Sequence, residues 1–320
     1  MSSLRIGCIC NPDAARNRQL LAAIRPILRG ISNAVYAETT STKDYASLMQ
    51  PDLIESLDLL ILSGGDGTLQ QGMSALIGSG ATRFPKLALL PAGSTNVAAT
   101  DIGGEADLVA AVSALVKQLP NLVTVTKQPL LIRASESDPP LAGFFLGVGA
   151  APAAVARYRR IRKPVRGVPF LDAGASVVAI GGTILEIGVK GEACPHVVSG
   201  EMCVDGERTG VGTASLVLVT CLDGLFKSVT PWWGQGDAAI KYLQIGLGAP
   251  SLLKNIAGIL RGKPDASVTS SPMYASGGAK RIVLSDVENF TIDGELFRMR
   301  DGRAKLTIDA GPKIDFVRFL

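Results

Sequence analysis

The sequence predicts an α/β unit followed by an all-β unit, and three observations predict it. Residues up to about 120 alternate short apolar runs with stretches of helical periodicity. Two of the apolar runs end in glycine-bearing turns that open into helices. After Asn121 the rhythm changes to short alternating runs separated by glycine and proline. The chain therefore divides into an α/β domain over 1–121 and an antiparallel β-sandwich over 122–310.

In order, 4–10 reads as the first strand, and Asn11-Pro12 breaks it into a turn. Leu20, Leu21, Ile24, Ile27 and Leu28 then recur at helical spacing. A second strand over 34–38 follows, and residues 39–42 cap a helix that begins near Lys43. The unbroken apolar run at 59–62 suits a strand buried on both faces of a parallel sheet. Gly64, Gly65 and Gly67 then surround one carboxylate, Asp66, and from Thr68 onward Leu69, Met73, Leu76 and Ile77 keep helical spacing. Strand, glycine turn and helix together aim bare backbone N–H groups and a helix N-terminus at an anion, so this is a candidate phosphate site. The plainer reading is a tight turn in which Asp66 caps a helix.

A second such unit follows, with a strand at 86–90, a turn at 91–93 and a helix cap at Ser94-Thr95-Asn96. The two loops stand about one βαβ unit apart, and both fall at the carboxyl ends of parallel strands, where ligand crevices form. The helix over 105–119 places Leu108, Val112, Leu115 and Leu119 on one face for core packing. Strands are expected at 122–126, 183–190, 201–205, 214–221, 239–245, 281–284, 290–293 and 304–309, with helices near 150–162 and 251–260.

Composition narrows the class. The chain has 320 residues, 47% apolar and 19% charged, and a net charge of +4 that is too small to indicate nucleic acid. The cysteines at 8, 10, 194, 203 and 221 form no Cys-x-x-Cys pair, which argues against a zinc knuckle or redox motif and fits reduced thiols in the cytoplasm. Arg5 and the early cysteines interrupt any signal-peptide core, and uncharged stretches such as 173–185 fall short of the roughly 18 residues a membrane span needs. His196 is the single histidine, which excludes any site built on two and reads as structural.

Gly64-Gly-Asp-Gly-Thr68 followed by Pro91-Ala-Gly-Ser-Thr-Asn96 resembles the paired motifs of the diacylglycerol kinase catalytic family, which includes sphingosine kinases and YegS-type bacterial lipid kinases. The more distant NAD kinases share the first motif and lack the second in this form. Phe290-Thr-Ile-Asp-Gly-Glu295 resembles the segment on which the bacterial lipid kinases place their catalytic carboxylates. The resemblance implies a Rossmann-like nucleotide domain, a β domain, an active site in the cleft between them, and a tail over 311–320 that returns to the first domain. It also implies ATP and Mg²⁺ as cofactors and a lipid alcohol as phosphoryl acceptor. Asn11 matches the family's Asn-Pro near the nucleotide, or is an ordinary turn opener. Thr39 matches a nucleotide-contacting threonine, or is a plain N-cap.

No Gly-x-x-x-x-Gly-Lys-[Ser/Thr] loop exists here, so phosphate must be met by backbone amides at Gly64, Gly65, Asp66, Gly67 and Thr68, by Gly93, by the Ser94 and Thr95 hydroxyls and by the Asn96 amide. Asp66 is the candidate Mg²⁺ ligand or hydroxyl-orienting group. Asp293 and Glu295 stand two apart at a strand end, where a regular strand would face both the same way; by resemblance Glu295 is the base and Asp293 its companion. The same tripeptide at Asp205-Gly206-Glu207 shows how readily a hairpin turn produces it.

Two features could face a bilayer. Arg157, Arg159, Arg160, Arg162, Lys163 and Arg166 put six positive charges in ten residues, which is also how a solvated helix face reads. Trp232 and Trp233 sit in a Pro-Trp-Trp-Gly loop, suited to a lipid interface or to packing under the sandwich. The expected partners are nucleotide and a lipid substrate reached from the inner membrane face, with no nucleic acid and with a second copy of the chain as a candidate. Val97 and Gln71 depart from the acidic residues common in the family, and the family's regulatory metal site has no transferable match. The reading is thus an ATP- and Mg²⁺-dependent lipid kinase, with an NAD kinase-like enzyme or a silent lipid- or nucleotide-binding regulator as alternatives.

Overall fold

The computed structural model describes residues 4–39, 41–93, 102, 107–135, 138–162, 182–195, 197–224, 229–234, 236–299, 302 and 304–319, with backbone alone at 42, 43 and 158–162. Two compact units emerge: Met1–Gln128 with Pro139–Ala142 and Pro312–Leu320, and Pro129–Asp138 with Gly143–Gly311.

The first unit is built on a six-stranded sheet in the order β2-β1-β3-β4-β18-β5. Its strands are β1 (Ile6–Cys10), β2 (Ala34–Glu38), β3 (Leu59–Gly64), β4 (Lys86–Pro91), β18 (Ile314–Val317) and β5 (Thr124–Lys127). The strands β1 to β4 pair in parallel, β18 continues parallel beside β4, and β5 runs antiparallel to β18. β1 and β3 are buried along their whole length, as the unbroken apolar runs require. One face is covered by α1 (Asn17–Arg29) and α5 (Leu108–Gln118), whose Leu21, Ile24, Leu28, Val112 and Leu115 join Ile6, Cys8, Leu59, Ile61 and Leu90 in one core. α4 (Asp66–Gly78) covers the other, with Gly72 near enough to β3 that a Cβ would stand 3.0 Å from Leu62. Chain order reverses between β1 and β3, and such a switch point opens a crevice at the carboxyl ends of the strands.

The second unit holds two antiparallel sheets, β10-β9-β14-β17-β6-β7 and β13-β12-β11-β8-β15-β16, in which β6 is Leu130–Arg133, β7 Leu141–Gly143, β11 Ala214–Thr220, β12 Ile240–Gly246, β13 Tyr274–Ala279 and β17 Ala304–Ala310. Those that matter below are β8 (Phe145–Gly149), β9 (Met202–Val204), β10 (Glu207–Arg208), β14 (Arg281–Val287), β15 (Asn289–Ile292) and β16 (Glu295–Arg298). α6 (Ala151–Arg162) packs on β8 and β15.

Two expectations need correction. The strand expected at 122–126 as the opening of the β domain is β5, which closes the edge of the first sheet, so the first unit runs to Gln128 rather than 121. The strand expected at 183–190 is helical over 182–190. Its Ile184 and Ile187 are buried while Leu185 and Val189 are exposed, and Glu186 pairs with Lys190 one turn on. Packing of that stripe outweighs the β-branched composition.

Candidate functional site

The first site lies where β1 and β3 end. The Asn11 amide donates to the Ser63 carbonyl at 2.9 Å and the Thr39 amide donates to the Cys10 carbonyl at 2.9 Å, so the strand ends stay in register into the loops. Asn11 Nδ2 donates to Thr68 Oγ1 at 2.8 Å, tying the first loop to the first turn of α4. Gly65 is the N-cap of α4 and no side chain caps that end, which leaves the helix N-terminus to its backbone amides and its positive end of the dipole. Asp66 is the first helical residue and is half-buried.

Space, not only charge, shapes this place. A Cβ on Gly64 would stand 2.2 Å from the Thr68 side chain, and one on Gly65 would stand 3.2 Å from the Gly93 Cα. The two glycine loops therefore meet backbone to backbone, and any side chain there would fill the approach a phosphate group needs. Asn11, Gly64, Gly65, Asp66, Gly67, Thr68 and Gly93 are brought together; Ser94, Thr95, Asn96 and Val97 lie outside the described residues, as does His196.

Thr39 is different from both expectations. It is 1% exposed and its hydroxyl donates to the Tyr45 hydroxyl at 3.2 Å, so its side chain does not face a ligand. Nor is it the cap: Ser41 is the N-cap of α2 (Thr42–Leu48), and its amide donates to the Asp44 carboxylate at 2.9 Å.

Two positioning residues escaped the sequence reading. Asn17 is fully buried; its Nδ2 donates to the Asn11 carbonyl at 2.7 Å, and its Oδ1 accepts from Ser63 Oγ at 3.2 Å. Tyr45, also buried, stands with Thr39 and Thr68, and burial pushes its hydroxyl above the ordinary phenol range, so it stays a neutral donor and acceptor. A signal for Asn17 was available. It falls at the head of the buried stripe 17, 21, 24, 28 of α1, where an amide needs buried partners.

In the second unit Asp293 and Gly294, at φ 49° and 83°, form the two-residue turn between β15 and β16, closed by the Ile292–Glu295 pair. The Asp293 carboxylate accepts from the Phe144 amide at 3.0 Å and the Phe145 amide at 2.8 Å. The turn thus replaces the regular strand end that would have faced Asp293 and Glu295 the same way. Glu295 opens β16 and is half-buried.

Residues 5–127 match the pattern of the diacylglycerol kinase catalytic domain. The matched stretch lies within the first unit and spans less than half of the chain. No curated protein matches in a sequence search. Among solved structures, a candidate diacylglycerol kinase from Bacillus anthracis is similar with a TM-score of 0.68 at 16% identity, covering 99% of this chain and 98% of that one. A second protein from that organism, described as a diacylglycerol kinase, is similar with a TM-score of 0.65 at 13% identity over the same shares. Identities this low speak for the fold alone.

The expected bilayer-facing residues are corrected in part. Trp232 is 4% exposed and so is not presented to a lipid interface, while Trp233 is half-buried and packs against the core under β12 (Ile240–Gly246) and β13 (Tyr274–Ala279). Arg157 is bound by Glu186 and Thr183, which takes its charge out of the basic run. The side chains of Arg159, Arg160 and Arg162, and the residues Lys163 and Arg166, lie outside the described residues. No helix among the described residues is long and apolar enough to cross a membrane, and none of their His, Cys, Asp and Glu side chains cluster in threes as a ready-made metal site.

Proposed function

We propose that this protein is a kinase that transfers the γ-phosphoryl group of ATP to the hydroxyl of a diacylglycerol-like lipid alcohol, with Mg²⁺ as cofactor. The observation that carries the reading is the bare-backbone cradle at the β1–β3 switch point, with α4's uncapped N-terminus beside the Gly65–Gly93 approach. The cradle fits a nucleotide phosphate because it offers backbone amides and the space left by Gly64 and Gly65. Asp66 is the residue there that would hold the metal, and a single carboxylate suffices because magnesium is otherwise coordinated by phosphate oxygens and water. When bound, the metal neutralises charge on the transferring phosphoryl group.

The chain's own residues do the rest. Asn11 and Thr68 fix the loop against α4, Asn17 and Tyr45 fix Asn11 and Thr68, and Glu295 takes the acceptor hydroxyl proton. The basic residues from Arg159 to Arg166 draw the chain to an anionic lipid surface, from which the acceptor is reached.

The test is ADP release from ATP and Mg²⁺ with detergent-dispersed diacylglycerol, monoacylglycerol, sphingosine, phosphatidylglycerol and NAD. Release with a lipid, abolished in Asp66→Ala, supports the reading. Release with NAD alone makes the protein an NAD kinase. Nucleotide binding with no turnover on any acceptor points to a silent regulator, which Val97 and Gln71 would explain.

A further inference from the structure

We propose that Asp293 is a positioning residue, a clamp on the backbone entering β8, and that it is not the proton acceptor. The second half rests on the kinase reading above.

The same hairpin turn occurs twice in the second unit. The β9–β10 hairpin turns on Asp205-Gly206, at φ 50° and 94°, and the β15–β16 hairpin turns on Asp293-Gly294, at φ 49° and 83°. The Asp205 amide donates to the Arg281 carbonyl at 2.9 Å, and the Asp293 amide donates to the Phe145 carbonyl at 2.9 Å. The Asp205 carboxylate accepts from the consecutive amides of Lys280 (2.9 Å) and Arg281 (2.8 Å). The Asp293 carboxylate accepts from the consecutive amides of Phe144 (3.0 Å) and Phe145 (2.8 Å). In each case the clamped pair leads into the neighbouring strand, β14 or β8, and a glutamate opens the hairpin's second strand.

One local device has therefore been used twice, once in each sheet of the second unit. At 205 the hairpin is exposed and belongs to the other sheet, so the aspartate's identity is accounted for by the turn and the two amides. The same account applies to 293. Space confirms the fit: a Cβ on Gly143 would stand 2.8 Å from the Asp293 carboxylate, so glycine precedes the clamped amides where the carboxylate comes in. Geometry then separates the two acids. Both amides converge on Asp293 Oδ1, which fixes that carboxylate on the backbone entering β8. Glu295 sits beyond the turn on β16, outside the clamp.

Asparagine separates a clamp from a base, because it tolerates the left-handed turn and its Oδ1 can accept both amides, yet it cannot take up a proton. Amide hydrogen exchange at Phe144 and Phe145 is measured in wild type, Asp293→Ala and Asp293→Asn, with Lys280 and Arg281 in Asp205→Ala and Asp205→Asn as the comparison. Protection lost in each alanine variant and kept in each asparagine variant is expected. In the ADP-release assay Asp293→Asn keeps turnover within about tenfold of wild type, whereas Glu295→Gln loses on the order of a hundredfold or more. Amides still protected in Asp293→Ala overturn the clamp. A hundredfold loss in Asp293→Asn with its amides protected makes Asp293 the proton acceptor. If wild type releases no ADP with any acceptor, the kinase reading and the role given to Glu295 both fall, and the exchange data still decide the clamp.

Discussion

Replacing Asn17 by alanine removes a buried side-chain amide that bonds to the ends of both β1 and β3. The side chain has no solvent exposure, so no water stands ready to take over its bonds. Its best bonds are the 2.7 Å donation to the Asn11 carbonyl and the 3.2 Å bond accepted from Ser63 Oγ. Losing two such bonds costs about 2 kcal/mol, and the buried carbonyl and hydroxyl left without them add about 1 kcal/mol more. A loss of about 3 kcal/mol in a unit of this size lowers Tm by on the order of 10 °C, measurable by calorimetry or urea titration. Because Asn11 in turn holds Thr68, the nucleotide KM rises as well. Asn17→Asp sharpens the test: it keeps the volume but sets a carboxylate against the Asn11 and Ser63 carbonyls, and its damage eases as pH falls and the acid protonates. A Tm within 3 °C of wild type together with an unchanged nucleotide KM would refute the reasoning.

Other expectations follow from single contacts. Thr291 is fully buried in β15 and its hydroxyl has no partner among the described residues, so Thr291→Val should stabilise the second unit by about 1 kcal/mol in urea titration; a loss of stability would mean the hydroxyl is bonded. Gly64→Ala forces the Thr68 side chain away and breaks its bond to Asn11, so nucleotide affinity measured by calorimetry falls while far-ultraviolet dichroism is unchanged. Tyr45→Phe keeps the ring and loses the hydroxyl that Thr39 bonds, and should raise the nucleotide KM more than it lowers kcat. Lys190 and Arg157 hold the Glu186 carboxyl down to about 2. A carboxyl lowered on folding stabilises above its unfolded value near 4.3 and loses that contribution as pH falls toward 2. The second unit should therefore lose stability over that window, and Glu186→Gln should flatten that part of the profile.

The parts of the fold written in local periodicity were legible. The apolar runs at β1, β3 and β4, the glycine turn into α4 and the stripe of α1 each carry their cause within a few residues. What was not legible depends on distant partners. β5 alternates like any strand, and only β18, nearly two hundred residues further on, decides that it joins the parallel sheet. The run at 183–190 alternates too, yet it is helical because Ile184 and Ile187 have a core to enter. At the site, glycines announced themselves because no other residue tolerates such approach. The burial of Thr39 was not legible because its partner is the buried Tyr45, and at Asp293 turn chemistry and catalytic chemistry ask for the same tripeptide.

The position of β18 bears on how the protein is made. In the first sheet this strand lies between β4 and β5, with Phe316 fully buried, and β5 touches the sheet only through it. The nascent chain emits the other five strands early and the sixth after the whole second unit has left the ribosome. Until then β4 presents a bare apolar edge and β5 has nowhere to dock, the kind of transient edge on which aggregation begins. Closing the sheet waits on a contact of very long sequence separation, so the slow step in maturing the first unit belongs to the docking of β18.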